Sequence, residues 1–427
     1  MRPLLARLLR IGIARPLTER DYAMLTVGSL ISLLGDGFFF VALAWQVYQI
    51  SNVPTAMTAV GIAWTLPLIA TILLGGVLSD RYDRRWLMVG ADLLRGVAIA
   101  AMGILSVAGV LELWHVVALM AVIGLGDAIF NPASVAIVPD LLTDDLLPPA
   151  NALQGTVRPL MAQLAGPAIA GLVVAGIGPG AAFLVDAATF GASALAVANI
   201  RHRSWKHEAA RGIGATFREI GEGLAFVRGQ AWIWATLVSA MLGLLVVVGP
   251  RQTLVPFLIK NRLGLGPEAL GATFAAGGVG AILAALVIGQ VGLPARRVTV
   301  MYAAWAAGVG LMAIYGVMTQ LWQALVVSFV IHGLFELGQI IWTTLLQQRV
   351  PRGMLGRVSS LDWLVSIGLV PVSYALTGPV AGAFGATTTM VGAGLLGAVL
   401  MGGLLFFPGV RDPERERASA LGGEATE

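Results

Sequence analysis

Ionisable side chains interrupt several long apolar runs of this chain, and they are of the types that exchange protons. One run carries polar residues spaced four, three, four and four apart, which places them on one face of a helix. They are His332, Glu336, Gln339, Thr343 and Gln347. Asp36 and Asp127 lie in two further runs. A carboxyl group in an apolar medium resists ionisation, so it can take up and release a proton near neutral pH.

Two roles are open to these acids. An ionisable residue deep in a membrane-spanning helix is costly and is a functional candidate by default, so Asp36 or Glu336 is expected to carry a coupling proton. Alternatively, the acids pair with Arg158 or Arg251 and hold helices together. For Asp127 the two roles weigh equally. The expected cavity residues are Asp36, Asp127, Asn131, Arg158, His332, Glu336, Gln339 and Thr343.

The composition requires that most of the chain lies in lipid. Of the 427 residues, 57% are hydrophobic and 12% are charged, whereas about 25% are charged in soluble proteins. The apolar runs are continuous and long enough for helices, which excludes a β-barrel of alternating residues. Cys is absent, which excludes disulfides and thiolate chemistry. We therefore predict an all-α integral membrane protein.

Twelve membrane-spanning helices are predicted from these runs. Their ranges are 22–50, 54–79, 87–109, 114–138, 150–176, 180–200, 231–259, 267–291, 298–318, 321–347, 358–383 and 388–408. Arg is concentrated at the N-terminus, in alternate loops and in the tail, and the loop near 260–266 is the exception. By the positive-inside rule, both termini are expected in the cytoplasm of a bacterial inner-membrane protein.

The two halves of the chain repeat with an offset of 212 residues. Val138-Pro139 matches Val350-Pro351, and the pairs Gly166-Pro167 and Arg84-Arg85 recur at the same offset. Parallel repeats of this kind are known in transporters, with the substrate site between the halves. We predict an N-terminal six-helix bundle at 1–200, a C-terminal one at 231–412 and a cytoplasmic tail at 413–427. The linker 201–230 is expected to hold an amphipathic helix, packed on the bundle or binding a partner.

The loop 76–85 resembles motif A of the major facilitator superfamily, Gly-x-x-x-Asp-Arg-x-Gly-Arg-Arg, with Asp83 where Gly is usual. The resemblance implies a conformational latch near the start of the eleventh helix. We expect Asp92 and Arg95 to support this latch as an i, i+3 pair, and Asp362 to open the eleventh helix. The latch residues are Gly76, Asp80, Arg81, Arg84, Arg85, Asp92, Arg95 and Asp362.

A second stretch in the fifth span resembles motif C, the antiporter signature of drug exporters. Its residues are Gly166, Pro167, Ala170 and Gly171, with Ala162 where a first Gly is usual. Other segments, such as Phe130-Asn131-Pro132-Ala133, are similar to the branch of macrolide-efflux proteins and enterobactin exporters. The resemblance implies proton-coupled export of a lipophilic or amphipathic small molecule, of drug or siderophore type. An importer, a lipid transporter and a non-transporting sensor are the alternatives.

The sequence lacks the motifs that are typical of several other chemistries. The sequence has no phosphate-binding loop and no His-Glu-x-x-His, and its four His residues have no metal-ligand spacing. We therefore expect neither an enzyme nor a cofactor or metal site. The expected partners are a small-molecule substrate, protons and the lipid bilayer, without nucleic acid, and the chain is expected to be a monomer. Asp186, near the outer end of the sixth span, is expected to be reached by water.

Overall fold

Helices form nearly all of the protein. The computed structural model describes residues 12–201 and 213–415, and no strand occurs among them. Twelve helices are long and apolar enough to cross a membrane, which confirms the predicted number. They are α1 (Arg20–Ile50), α2 (Pro54–Arg81), α3 (Arg84–Val107), α4 (Leu113–Ala136), α5 (Asp144–Gly176), α6 (Pro179–Ala198), α7 (Ala231–Asn261), α8 (Pro267–Val291), α9 (Arg297–Val317), α10 (Leu321–Arg349), α11 (Met354–Phe384) and α12 (Ala386–Phe406).

Contacts between the helices divide the chain into two units. The first holds α1 to α6 with residues Gly264–Ala275, and the second holds α7, α9 to α12 and the rest of α8. In the first unit α1 packs on α5 and α6, and α3 packs on α6. In the second unit α7 packs on α11 and α12, and α9 packs on α12. The same pairings thus occur at equivalent places in the two bundles, as the sequence repeat predicts.

Glycine allows two of these equivalent helix pairs to approach closely. Gly37 of α1 packs against Gly166 and Pro167 of α5, so that a methyl group at Gly37 would lie 2.7 Å from Gly166 Cα. Gly249 of α7, 212 residues later, packs against Ser373 on α11, and its amide donates a hydrogen bond of 2.8 Å to Ser373 Oγ. Small residues at helix contacts are typical of membrane bundles, where close packing replaces the hydrophobic effect.

Between α6 and α7, a further helix runs over Ile213–Arg228. Glu222 on this helix forms a 2.6 Å ion pair with Arg357 on α11, and Val227 is buried. The side chains of 213–220, which include part of the apolar face expected from the sequence, lie outside the described part of the structure. The described contacts show that this helix packs on its own bundle.

Candidate functional site

Asp83, which replaces the usual Gly of the motif-A-like loop, lies in the turn between α2 and α3. Asp83 is the residue before the first turn of α3, and its Oδ1 accepts a 2.9 Å hydrogen bond from the amide of Arg85. Its φ angle of −59° is accessible to any residue. Since the backbone requires no glycine here, Asp83 can serve as a helix cap.

Replacing Asp83 with Ala is expected to cost about 1 kcal/mol of stability, because the amide of Arg85 loses its side-chain acceptor. Replacing it with Gly, the usual residue of the motif, is expected to cost only a few tenths of a kcal/mol, since Gly is itself tolerated at caps. The melting temperatures of the purified variants test this order. Equal melting temperatures for Asp83→Ala and the original protein would contradict it.

Arg84 and Arg85, the first two residues of α3, bind the ends of neighbouring helices in the first unit. By the predicted topology, these ends lie on the cytoplasmic side. Arg84 donates hydrogen bonds to Asp140 (2.7 Å) and to the carbonyl oxygen of Ala136 at the end of α4 (3.0 Å). Arg85 donates to the carbonyl oxygen of Ile200, just after α6. The side chain of Asp80 lies outside the described residues. The latch roles of these residues and of Gly76 and Arg81 stay predictions.

A guanidinium group lies at the centre of a buried cluster in the first unit. Arg95 on α3 forms ion pairs with Asp92 (2.5 Å) and with Asp127 on α4 (2.7 Å). The side chain of Arg95 is 7% exposed and that of Asp92 is fully buried. Asp92 also accepts a 2.8 Å hydrogen bond from Ser193 Oγ. The expected Asp92–Arg95 pair is therefore present, and it also includes the candidate cavity residue Asp127.

Aromatic side chains from three helices enclose this cluster. Trp64 Nε1 on α2 donates a 2.8 Å hydrogen bond to Asp127. The guanidinium of Arg95 lies over the rings of Phe130 (4.2 Å) and Phe190 (4.5 Å). Cations are attracted to aromatic faces, most strongly where water is excluded. The arginine that pairs with Asp127 is Arg95. The structural role considered in the sequence analysis had named Arg158 or Arg251 as the partner of the acids.

Two further carboxyl groups lie beside this cluster. Asp186 on α6 is 0% exposed, so the expectation that water reaches it is wrong. Its Oδ1 accepts a 3.2 Å hydrogen bond from Thr189 and lies against Gly35 of α1, the residue before Asp36. Its Oδ2 is buried and has no hydrogen-bond partner among the described residues. Asp36 itself is half-buried and close enough to Arg95 and Asp127 for electrostatic interaction.

We use the term acidic network for five residues of the first unit. They are Asp36, Asp92, Arg95, Asp127 and Asp186. The four carboxyl groups interact electrostatically with Arg95, and Asp36 also with Arg158, so full ionisation would leave an excess of negative charge inside the helix bundle. Uncompensated buried charge is very costly in a low-dielectric medium. The network therefore has the composition of a site that holds protons.

The remaining candidates of the first unit are more exposed. Asn131 on α4 and Arg158 on α5 both have exposed side chains. Arg158 ends a regular α-helical segment, and a π-helical stretch, Pro159–Ala165, separates it from Gly166. Stretches of π-helix are frequent at functional sites. The cavity roles of Asn131 and Arg158 stay predictions.

The motif-C-like residues place α5 against two other helices. Gly166 and Pro167 contact α1 one residue beyond Asp36. Gly171, one turn further along α5, contacts Gly271 and Glu268 at the start of α8, within the first unit. A side chain at Gly166 or Gly171 would push these helices apart, so the small residues fix how closely α5 approaches the acidic network.

The polar face of α10 divides into separate contacts. His332 lies 3.4 Å from Arg251 of α7, measured between His332 Nε2 and an Arg251 terminal nitrogen. Gln339 donates a 3.3 Å hydrogen bond to Thr343, and both side chains are exposed. Glu336 is half-buried, without an ion pair among the described residues. The role of Glu336 in proton coupling stays a prediction.

The expectation that Asp362 opens the eleventh helix is wrong. A helical segment that includes the start of α11 runs from Arg352 to Gly368, so Asp362 lies ten residues inside that segment. Its carboxylate accepts a 3.1 Å hydrogen bond from Trp342 Nε1 on α10. The sequence prediction placed the helix start at residue 358 because the Arg and Gly residues at 352–357 were read as a loop.

The sequence of this chain matches that of a known family of membrane proteins. The family described as "Transmembrane secretion effector" matches residues 12–420, nearly the whole chain. The chain belongs to this family. It is thus a membrane transporter of the major facilitator superfamily, in the macrolide-efflux branch that the motifs indicated.

Curated relatives of this superfamily member align over most of their length. A multidrug efflux pump named Tap, from Mycolicibacterium fortuitum, is 27% identical over 93% of this chain and 97% of its own. Macrolide efflux protein A from Streptococcus pyogenes is 24% identical over 82% of this chain and 86% of its own. YfiS from Bacillus subtilis, an uncharacterized transporter of the superfamily, is 26% identical over 81% of this chain and 83% of its own.

Solved structures show the same fold at lower identity. A mutant of the nucleoside transporter NupG superposes with a TM-score of 0.67 at 12% identity, over 90% of this chain and 99% of its own. A bacterial homologue of the iron transporter ferroportin superposes with a TM-score of 0.66 at 16% identity, over 90% and 98%. At these identities the likeness establishes the fold, which is the superfamily fold predicted from the sequence.

Proposed function

We propose that this transporter exports a lipophilic or amphipathic small molecule in exchange for protons. The observation that carries the proposal is the acidic network, in which four carboxyl groups outnumber the guanidinium groups near them inside the first bundle. Such a network is stable in an apolar medium only when part of it is protonated. Export rather than import follows from the relatives, whose names describe multidrug and macrolide efflux.

The proposed proton site is the pair Asp36 and Asp186. Asp92 and Asp127 both form ion pairs with Arg95, whereas Asp36 and Asp186 form none among the described residues. Asp186 Oδ2 has no partner in the described chain, and a carboxyl group in that environment is favoured as the neutral acid. Because Asp36 is half-buried, it offers a path between Asp186 and water.

The proposed cycle alternates proton and substrate. With the site open to the outside, Asp36 or Asp186 takes up a proton and the substrate leaves. With the site open to the cytoplasm, the proton leaves and the substrate enters. The contact of Gly166 and Pro167 with Gly37 couples α5 to the residue next to Asp36, so a change of charge at Asp36 can move α5. Both termini are proposed to be cytoplasmic.

Everted membrane vesicles that contain the protein test this function. With an inside-acid gradient, we expect uptake of an amphipathic dye, and a protonophore is expected to abolish it. Vesicles without the protein provide the background. Uptake that persists after the gradient has collapsed would contradict proton antiport, and uptake into right-side-out vesicles would contradict export.

Two variants distinguish between Asp36 and Glu336, the two proton carriers that the sequence analysis allows. Asp36→Asn is expected to reduce gradient-driven uptake by about tenfold or more, because an amide cannot release a proton. Glu336→Gln is expected to retain most uptake if the acidic network is the proton site. A loss in Glu336→Gln with normal uptake in Asp36→Asn would assign the proton to α10 instead.

A further inference from the structure

A basic group in the second unit has no acidic partner. Arg251 lies on α7 ten residues before its end at Asn261, which is about 15 Å from the end of the helix. Among the described residues no carboxylate lies within ion-pair distance of it. An arginine at this depth in a membrane protein is normally paired or faces a water-filled cavity. Arg251 is half-buried, and its described polar contact is with His332 on α10.

The contact with His332 does not neutralise this charge. His332 Nδ1 lies 2.8 Å from the carbonyl oxygen of Ser328, so Nδ1 carries the hydrogen and donates it. Nε2 is then a neutral acceptor, and it faces Arg251 at 3.4 Å. Helix α8 confines the ring from the other side, since a methyl group at Gly277 would lie 2.5 Å from His332 Nδ1. The imidazole therefore orients Arg251 and leaves its positive charge unpaired.

Two tyrosines of neighbouring helices contribute to the electrostatic environment of this guanidinium. Tyr315 on α9 and Tyr374 on α11 both interact electrostatically with Arg251, and they are 3% and 4% exposed. Phenol hydroxyls can donate hydrogen bonds to an anion. The groups identified around Arg251 are thus a neutral imidazole and two tyrosines, from three other helices of the same unit.

We propose that Arg251 binds an anionic group of the exported molecule, with carboxylate as the chemical class that fits best. A guanidinium presents two parallel N–H donors that match the two oxygens of a carboxylate. The depth of Arg251 places it beyond the reach of lipid headgroups at the membrane surface. The transported molecule is therefore an amphipathic acid or a zwitterion. This inference rests on the proposed export function, and it adds the substrate class.

A matched pair of dyes tests the charge preference directly. Rhodamine B has a free carboxylate, and its ethyl ester has the same ring system without it. Binding to the purified protein in detergent is measured by fluorescence polarisation, without any proton gradient. We expect the acid to bind about tenfold more tightly than the ester, because a charge-assisted pair is lost on esterification. Because this binding measurement involves no transport, its result can be interpreted even if the proposed proton antiport is wrong.

Variants of Arg251 assign the preference to this residue. Arg251→Gln is expected to bind the acid about tenfold more weakly and the ester unchanged. Arg251→Lys is expected to fall between the two, since it keeps the charge and loses the paired donors. Size-exclusion chromatography selects variants that remain folded, and Arg251→Lys serves if Arg251→Gln does not.

Three results would overturn the proposal. The first is equal binding of acid and ester to the original protein, and the second is no binding of either dye. The third is a parallel loss of acid and ester binding in the folded Arg251 variants, which would make Arg251 a structural group. Transport of the dyes in vesicles is a separate measurement, so a failure of export is distinguishable from each of these.

Discussion

Replacing Arg95 with Met is expected to destabilise the protein by about 3–5 kcal/mol. Removing one partner of a buried ion pair leaves an uncompensated charge, and this cost is much larger than the net contribution of the pair. Here two carboxylates lose their cation, since Arg95 binds both Asp92 and Asp127. Met retains much of the side-chain volume, so the change tests charge rather than packing. The melting temperature of the purified protein measures the effect.

The origin of this loss is tested by neutralising the acids as well. The triple variant with Asp92→Asn, Arg95→Met and Asp127→Asn is expected to recover much of the stability. Asn can still accept the hydrogen bonds from Ser193 and Trp64. A triple variant no more stable than Arg95→Met would show that the rings and helices around Arg95, rather than its charge, determine the effect.

An exposed ion pair provides the matched control. Arg15 pairs with Asp145 at 3.3 Å, and the two side chains are 56% and 66% exposed. Exposed pairs contribute at most about 1 kcal/mol, because water screens both charges. Arg15→Met is therefore expected to leave the melting temperature nearly unchanged. A shift as large as that of Arg95→Met would mean that arginine loss is destabilising wherever it occurs.

The fold was predictable from the sequence because lipid imposes a simple rule on the backbone. Every span must satisfy its hydrogen bonds internally, so length and hydropathy suffice to locate helices. The twelve spans follow from this rule, and α1 and α7 end within a few residues of the predicted positions. The 212-residue repeat likewise anticipated the equivalent helix pairings in the two bundles.

The composition of the site was less predictable, because helix contacts depend on rotation and tilt. Sequence position alone put Asp186 near the outer end of its span, whereas packing against Gly35 buries it completely. The pair of Asp92 with Arg95 was predictable from their spacing, whereas the second partner of Arg95, Asp127 on another helix, was not. The spacing of Asp186 and Thr189, three residues apart on one face, was the available signal for a polar contact inside the bundle.

A different kind of error concerned Asp362. The residues 352–357 contain two Arg and two Gly, a composition typical of loops, yet they form the first turns of α11. Helix boundaries are the least reliable part of a sequence interpretation. The consequence for the site is that Asp362 contacts Trp342 on α10, at a position well inside its helix.

Replacing Asp186 with Asn is expected to abolish gradient-driven uptake while leaving substrate binding intact. The amide preserves the size of the side chain and the hydrogen bond from Thr189, but it cannot exchange a proton. Uptake into everted vesicles is expected to fall by about tenfold or more, toward the background with protonophore. Asp145→Asn, which neutralises an exposed acid of the same unit, is expected to retain full uptake.

Proton release distinguishes a coupling role from a structural one. If Asp36 and Asp186 hold the exchangeable proton, substrate binding to the purified protein in weakly buffered detergent releases protons that a pH indicator detects. We expect this release to vanish in Asp186→Asn and to return in Asp186→Glu, which restores a titratable group. Proton release of unchanged size in a folded Asp186→Asn would show that Asp186 serves only to pack α6 against α1. The proton would then belong to Asp36 or to Glu336.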